Sequence, residues 1–146
     1  MSSHESDILD AVVTALAGMT GFSSSKVQIG IPTPQDVKPT SAWVSPGGTV
    51  SGRQEADLGG YRRGMLLDVL IAVPAASSTA SARVKAALDV SALARRALEA
   101  NVTLSGNTLD MEVKFEQVSG DEMGVPGLGL ALGEVSVWWL SMAGEA

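Results

Sequence analysis

Few side chains in this sequence could carry out chemistry, and they are not grouped in a recognised catalytic spacing. The one histidine is His4, and no acid, base or nucleophile stands near it in a known motif. Cysteine is absent, which excludes thiolate catalysis and a disulfide framework. Serine is abundant, but no G-x-S-x-G nucleophile elbow occurs. The sequence therefore predicts a protein that is not an enzyme and has no catalytic residues.

Metal and phosphate sites have equally weak candidates. Asp121 and Glu122 are the best carboxylate pair, but calcium requires about six to eight oxygen ligands, which favours a solvated pair on a loop. The glycines at positions 120, 124, 127, 129 and 133 have neither the dinucleotide-binding spacing nor a Walker lysine. We expect no metal site and no cofactor, and we interpret residues 119–133 as a glycine-rich loop that orders against a neighbour.

The charge of the chain excludes another class of function. The 146 residues carry a formal net charge of −6, with ten lysines and arginines against sixteen aspartates and glutamates. A nucleic-acid binder gains affinity by neutralising phosphates with basic side chains, so we expect no specific nucleic-acid binding. The polar, acidic start and the short apolar stretch that follows predict neither a signal peptide nor a membrane partner.

The elements that position these residues begin with a helix. Apolar residues at helical spacing predict an amphipathic helix over residues 7–19, with Ser6 as N-cap and residues 1–6 disordered. Short strands are expected over residues 27–31 and 41–45. Pro46, Gly47 and Gly48 then predict a turn, and residues 46–60 form a polar arm or loop.

The second half contains the strongest patterns. Residues 61–73 predict a long strand that is apolar on both faces toward its end, which is typical of a central strand. A helix capped by Ser78 or Thr79 follows and runs to about residue 100. Its predicted buried stripe comprises Val84, Ala87, Leu88, Ser91, Ala94 and Leu98. Strands over 109–116 and 134–142 flank the glycine-rich loop.

This order of elements predicts one domain over residues 1–146. The fold class is α+β: a mixed, mainly antiparallel sheet with two helices packed on one face, in the order α-β-β-β-α-β-β.

Interface residues are the remaining candidates for function. Arg62 and Arg63 start the long strand; they are either solvated or paired with carboxylates of a neighbouring subunit. Trp138 and Trp139 are adjacent on a strand and face opposite sides, so one fills the core and the other is available to a partner. The candidate interface comprises Arg53, Glu55, Asp57, Arg62, Arg63 and Trp138.

Nearly the whole chain resembles the tail terminator (tail completion) proteins of long-tailed bacteriophages. The resemblance is one of layout, without an invariant motif, and four stretches carry it. They are ILDAVVTALAGM; GGYRRGMLLDVLIAVP; ARVKAALDVSALARRALEA with NVTLSGNTLDMEVKFEQV; and GEVSVWWLSM after the glycine-rich loop.

The resemblance implies a structural virion protein located in the tail or neck and assembled in the host cytoplasm. Such proteins form a hexameric ring that caps the tail tube and contacts the head connector or neck protein, while DNA passes through the ring. An acidic lumen suits this passage because it does not retain phosphates. The arm over residues 46–60 becomes an inter-subunit or tube-facing element.

Two alternatives remain open. The first is another virion component, either a tail-tube protein or a head-completion (stopper) protein. The second is a small ligand-binding α+β domain, which requires a concave apolar pocket; Trp43, Trp138 and Trp139 are the aromatic residues that would line it.

Overall fold

The computed structural model describes residues 3–55, 60–101 and 110–142 and confirms the predicted α+β class and element order. The elements are α1 (His4–Ala17), β1 (Val27–Ile29), β2 (Ser41–Glu55), β3 (Gly60–Pro74), α2 (Ala80–Glu99), β4 (Asp110–Ser119) and β5 (Leu128–Met142). Short 3-10 turns at Ser24–Lys26, Pro34–Asp36 and Gly120–Met123 join them.

The five strands form one mixed sheet in the order β1-β2-β3-β5-β4. Only the β1–β2 pair is parallel; the other three pairs are antiparallel. β3 is therefore the central strand, as its two apolar faces predicted. α1 packs against β1 and β2, while α2 packs against β3, β5 and β4.

The core lies between the helices and one face of the sheet. α1 contributes Ile8, Val12 and Leu16, all fully buried, and the strands contribute alternate residues such as Leu67 and Val135. Leu67 and Val135 are direct cross-strand partners, which confirms the predicted alternation. The opposite face of the sheet has no helix over it within the described residues.

The start of α1 differs from the prediction. Ser3, and not Ser6, is the N-cap: its hydroxyl accepts a hydrogen bond of 3.1 Å from the backbone N–H of Ser6. Residues 3–6, which we expected to be disordered, thus form the cap and first turn of the helix. His4 lies 5.0 Å from Trp139, measured between ring centroids, so this contact ties the first turn to the sheet.

The expected turn at Pro46–Gly48 was wrong. β2 continues through these residues to Glu55, with irregularities in its pairing with β3 between Pro46 and Gly48 and again between Val50 and Arg53. The polar arm is thus the outer part of a β2–β3 hairpin, one of the two forms considered. Bulges let a strand absorb an extra residue and bend without ending, which explains how proline and glycine are accommodated.

The buried stripe of α2 was wrong in part. Thr79 caps the helix, accepting a 3.2 Å hydrogen bond from the N–H of Ala82, and the predicted small residues are buried. Val84 and Leu88, however, are 40% and 54% exposed, while Arg83 and Val90 are buried in their place. The buried side of the helix is therefore rotated relative to the predicted stripe, because Arg83 has buried polar partners, which are described below.

The glycine-rich loop is shorter than predicted. Residues 120–127 connect β4 to β5, whereas Gly129 and Gly133 lie within β5. A β-carbon at Gly129 would collide with the carbonyl oxygen of Arg83, so glycine allows α2 to approach the strand closely. At Gly133 the ring of Phe115 occupies the space that a side chain would fill.

Candidate functional site

The sheet face opposite the helices carries the most distinctive surface of the described residues. We call it the open face and define it by two rows of directly paired residues that run across β2, β3, β5 and β4. The first row is Trp43, Leu70, Leu132 and Glu116, and the second is Ser45, Asp68, Glu134 and Lys114. These residues alternate with the inward-facing core residues, which places them on the opposite side of the sheet.

One end of this face is closed by two 3-10 turns. Val37 and Val125, which follow the turns at Pro34–Asp36 and Gly120–Met123, are buried against Ala72, Leu128 and Leu130 in a second small core. The two turns also approach each other, since Gly124 lies near the ring of Pro34. The open face therefore begins where this cover ends, one row further along the strands.

An apolar cleft of about 290 Å³ occupies the first row beside β1. Ile31 and Pro32 form one wall, and Trp43, Leu70 and Leu132 form the floor. Ile31 is 84% exposed, the highest value among the large hydrophobic residues described as exposed. The indole N–H of Trp43 is buried without a hydrogen-bond acceptor in the described residues. Apolar surface of this kind is typical of sites that are covered by a partner.

An acidic depression of about 450 Å³ adjoins the cleft. Its carboxylates are Asp68, Glu116 and Glu134, and it shares Asp68, Leu132 and Gly133 with the cleft. Asp68 and Glu134 face each other directly across β3 and β5, an arrangement of like charges that disfavours the isolated sheet. Lys114 is the cation on this surface, and it pairs at 3.4 Å with Glu112.

A buried arginine organises the loop beside this face. Arg83 on α2 donates from Nε to the hydroxyl of Ser119 at 2.9 Å and from Nη1 to the carbonyl of Ser78 at 2.7 Å. It also forms an ion pair of 2.5 Å with Asp121, whose other oxygen accepts a hydrogen bond from the N–H of Gly127. Asp121, considered above as a metal ligand, is thus a structural partner of Arg83.

A second carboxylate has a local structural role. The backbone N–H and the hydroxyl of Thr33 donate to one oxygen of Asp36, at 3.0 and 2.8 Å. The backbone bond first, and the hydroxyl bond second, hold the pKa of Asp36 below its ordinary value of 3.8. These bonds fix the turn that covers one end of the open face.

Of the predicted interface residues, Trp138 shares a side of the sheet with the open face, whereas the others that the structure describes lie on the hairpin or on the helix-covered side. Arg53 and Arg62 face each other in the register at the outer part of the hairpin, where Glu55 faces Gly60. Asp57 lies outside the described residues. Arg63 faces Trp139 in the register and is half-buried on the helix-covered side.

The two adjacent tryptophans separate as predicted. Trp139 is buried in the main core, and Trp138 lies on the other side of the sheet and remains half-exposed. The ring of Trp138 covers Gly64, its direct partner on β3. Trp138 therefore lies on the same side of the sheet as the open face, two rows beyond Asp68.

The described residues contain no group of three or more histidine and carboxylate side chains able to hold a metal ion. Within the same residues, neither helix is long and apolar enough to cross a membrane. His4, the one histidine, packs on Trp139.

Sequence reasoning missed the open face because its residues come from four strands. Asp68 and Glu134 are adjacent only through the β3–β5 register, and Trp43 joins them only because β2 lies on the other side of β3. One signal was present in the sequence: the charges on β4 alternate with apolar residues, which marks one of its sides as exposed.

The sequence matches no protein-family model, and no curated protein matches it.

Proposed function

We propose that this protein is a bacteriophage tail terminator whose copies form a ring, a hexamer in the family it resembles, that caps the tail tube and joins it to the head connector. The open face is the observation that carries the proposal. A sheet that buries one face under helices and leaves an apolar cleft beside a carboxylate cluster on the other is suited to contact another subunit. Ring closure requires two different patches on each subunit.

The long hairpin is a second supporting feature. β2 and β3 contain fifteen residues each, whereas strands in globular proteins usually contain about three to ten. Their pairing continues beyond Arg63, which faces the buried Trp139, through Arg62, Tyr61 and Gly60. An extension of this kind reaches past the helix-covered core toward a neighbouring subunit or ring.

The proposal is tested by combining the purified protein with tail tubes that are assembled in vitro from the tail-tube protein of the same phage. We expect mass photometry to detect a cyclic oligomer and cryo-electron microscopy to show it on tube ends, with shorter tubes as its concentration rises. Monomers alone, both with and without tubes, would refute the ring. A ring that leaves tube length unchanged would refute the terminator assignment.

The same measurement distinguishes the nearest alternatives. A tail-tube protein polymerises into tubes without another component, and a head-completion protein binds the connector and leaves bare tube ends unoccupied. Either result would replace the terminator assignment while preserving a virion role.

The apolar cleft supports a second candidate of a different class, a small ligand-binding domain. Its volume of about 290 Å³ is near the lower limit of small-molecule sites, and Asp68 and Ser45 are the polar groups on its wall. A ligand in this cleft would change the fluorescence of Trp43, and the change would be absent in Trp43→Phe. Binding that leaves the oligomeric state unaffected would favour this candidate over the ring.

A further inference from the structure

The outer side of α2 is complementary to the open face. Val84 and Leu88 are exposed there, 40% and 54%, although large hydrophobic residues usually avoid such positions. Lys85 precedes Leu88 by three residues and Arg95 follows it by seven, so helical periodicity places all three on one side of the helix. Lys85 and Arg95 are both exposed. This side of α2 presents an apolar residue between two cations.

The charges of the two surfaces have opposite sign. The exposed charged residues of α2 are three cations, Lys85, Arg95 and Arg96, and two anions, Asp89 and Glu99, so the helix has a small net positive charge in an acidic chain. The open face and the adjoining β4 residues carry four carboxylates and one cation: Asp68, Glu112, Glu116 and Glu134, with Lys114. An acidic surface repels nucleic acid, whereas it attracts a helix with exposed cations.

The dimensions also agree. Leu88 and Arg95 are separated by seven residues, about 10 Å along the helix axis. Trp43, on the floor of the cleft, lies on β2, and the acidic depression extends from Asp68 on β3 to Glu134 on β5. Glu134 is two strands away from Trp43, which is again about 10 Å. A helix lying across the strands therefore places an apolar residue over the cleft and a cation over the depression at the same time.

We propose that α2 of one copy docks across the open face of the next copy, with Leu88 at the Trp43 cleft and the cations over the carboxylates. Arg95 lies over Asp68 and Glu134, whose mutual repulsion it relieves. α2 and the open face are on opposite sides of the subunit, so the contact is head-to-tail and leaves one free patch of each kind until a ring closes. This inference names the interface of the ring and rests on the self-assembly part of the proposed function.

Reciprocal charge reversal tests this contact directly. The first variant carries Asp68→Lys and Glu134→Lys on the open face, and the second carries Lys85→Glu and Arg95→Glu on α2. All four side chains are exposed, so both variants should fold, as checked by circular dichroism. A variant with Lys26→Glu and Glu122→Lys is the control, because it reverses exposed charges on segments that we place outside the contact.

We expect each reversed variant alone to be monomeric at concentrations at which the wild type assembles, with a rise of about a hundredfold in the concentration needed. In each reversed variant α2 and the open face have charges of the same sign, so like charges meet at every contact. An equal mixture of the two variants should assemble again, because the cationic open face of one meets the anionic α2 of the other. The control variant should assemble as the wild type does.

Three outcomes would overturn the interface. They are reversed variants that each assemble like the wild type, a mixture that stays monomeric, and a wild type that is itself monomeric at every concentration and with tail tubes. The first two leave a ring with another interface, whereas the third also removes the ring. A wild type that assembles through this contact without limiting tube length would refute only the terminator assignment.

Discussion

At the scale of single residues, the close approach of α2 to β5 decides what Gly129 can become. A β-carbon there would collide with the backbone of α2 at Arg83, and backbone cannot move aside as a flexible side chain can. We expect Gly129→Ala to lower the free energy of unfolding by about 3 kcal/mol, as overpacking does in other cores. Urea denaturation measures the change.

Gly18 provides the matched control for that substitution. It ends α1 with φ of −80°, a conformation that alanine adopts freely, and the nearest atom to an added β-carbon is 3.4 Å away. Gly18→Ala should leave the free energy of unfolding unchanged or raise it by up to about 1 kcal/mol. Equal losses in the two variants would contradict the packing argument.

Asp36 predicts a pH dependence at the same scale. Hydrogen bonds from Thr33 lower the pKa of Asp36 in the folded state. Their contribution to the stability of the fold is therefore present at pH values above the unfolded-state pKa of 3.8. It is lost as the pH falls through the lower, folded pKa. We expect the carboxyl carbon resonance of Asp36 to titrate below pH 3.8, and Thr33→Ala to raise the midpoint part of the way back.

The backbone N–H of Thr33 remains in that variant, which is why the return is incomplete. In a companion variant, Asp36→Asn, this carboxyl no longer titrates. The loss of stability at acidic pH should therefore be smaller than in the wild type. An Asp36 midpoint at or above its ordinary value would show that the turn is not held by these bonds in solution.

At the scale of elements, Arg83 joins α2 to the connection between β4 and β5. Its three partners, Ser119, Ser78 and Asp121, lie on three different segments, and its side chain is 11% exposed. We expect Arg83→Met to lower the free energy of unfolding by about 2–3 kcal/mol, because buried acceptors lose a charged donor. Thermal and urea denaturation measure this loss.

The exposed pair on β4 is the control for that prediction. Lys114 and Glu112 are 75% and 64% exposed, and such pairs contribute about 0–1 kcal/mol. Lys114→Met should therefore change the free energy of unfolding by less than about 0.5 kcal/mol. A loss as large as that of Arg83→Met would contradict the assignment of Arg83 as the joint between these elements.

Elements with local patterns could be predicted from the sequence, and those that depend on distant partners could not. β4 alternates strictly, and α1 has a clear helical period, so both were expected close to their observed ranges. The rotation of α2 was missed because Arg83 turns inward to a hydrogen-bond partner, Ser119, that lies 36 residues away in the sequence. β2 was expected to end at Pro46, since local rules do not reveal a bulge that pairing with β3 supports.

The candidate site was less predictable than the fold for the same reason. Trp138 was correctly placed on the side away from the core, because alternation along one strand decides it. The cleft and the acidic depression depend on which strands are neighbours, and the order β2-β3-β5-β4 follows from no local pattern. Ile31, exposed beside Trp43, looked in sequence like an ordinary strand residue.

At the scale of the whole molecule, the sheet order predicts where the fold opens last. β3 and β5 pair with strands on both sides and contribute fully buried residues to the core. β1 has three residues and a single paired edge. We expect amide hydrogen exchange in β3 and β5 to be slowest, approaching the rate of global unfolding, and exchange in β1 to be the fastest among the strands.

Mass spectrometry of exchanged peptides separates these strands. Assembly provides an internal comparison, since contacts between copies should slow exchange in α2 and in the strands of the open face. Protection in β1 equal to that in β3 would show that the small strand is part of the global folding unit, contrary to this expectation.

The pairing of β3 with β5 is uninterrupted from Gly60 opposite Met142 to Pro74 opposite Leu128, while the pairing of β2 with β3 is irregular at two places. A pulling force along the strands loads every hydrogen bond of the regular pair simultaneously, in shear. The irregular pair divides the same load into shorter blocks that yield one after another. We therefore expect the subunit to resist force best along β3 and β5, and to bend first at the edge formed by β2.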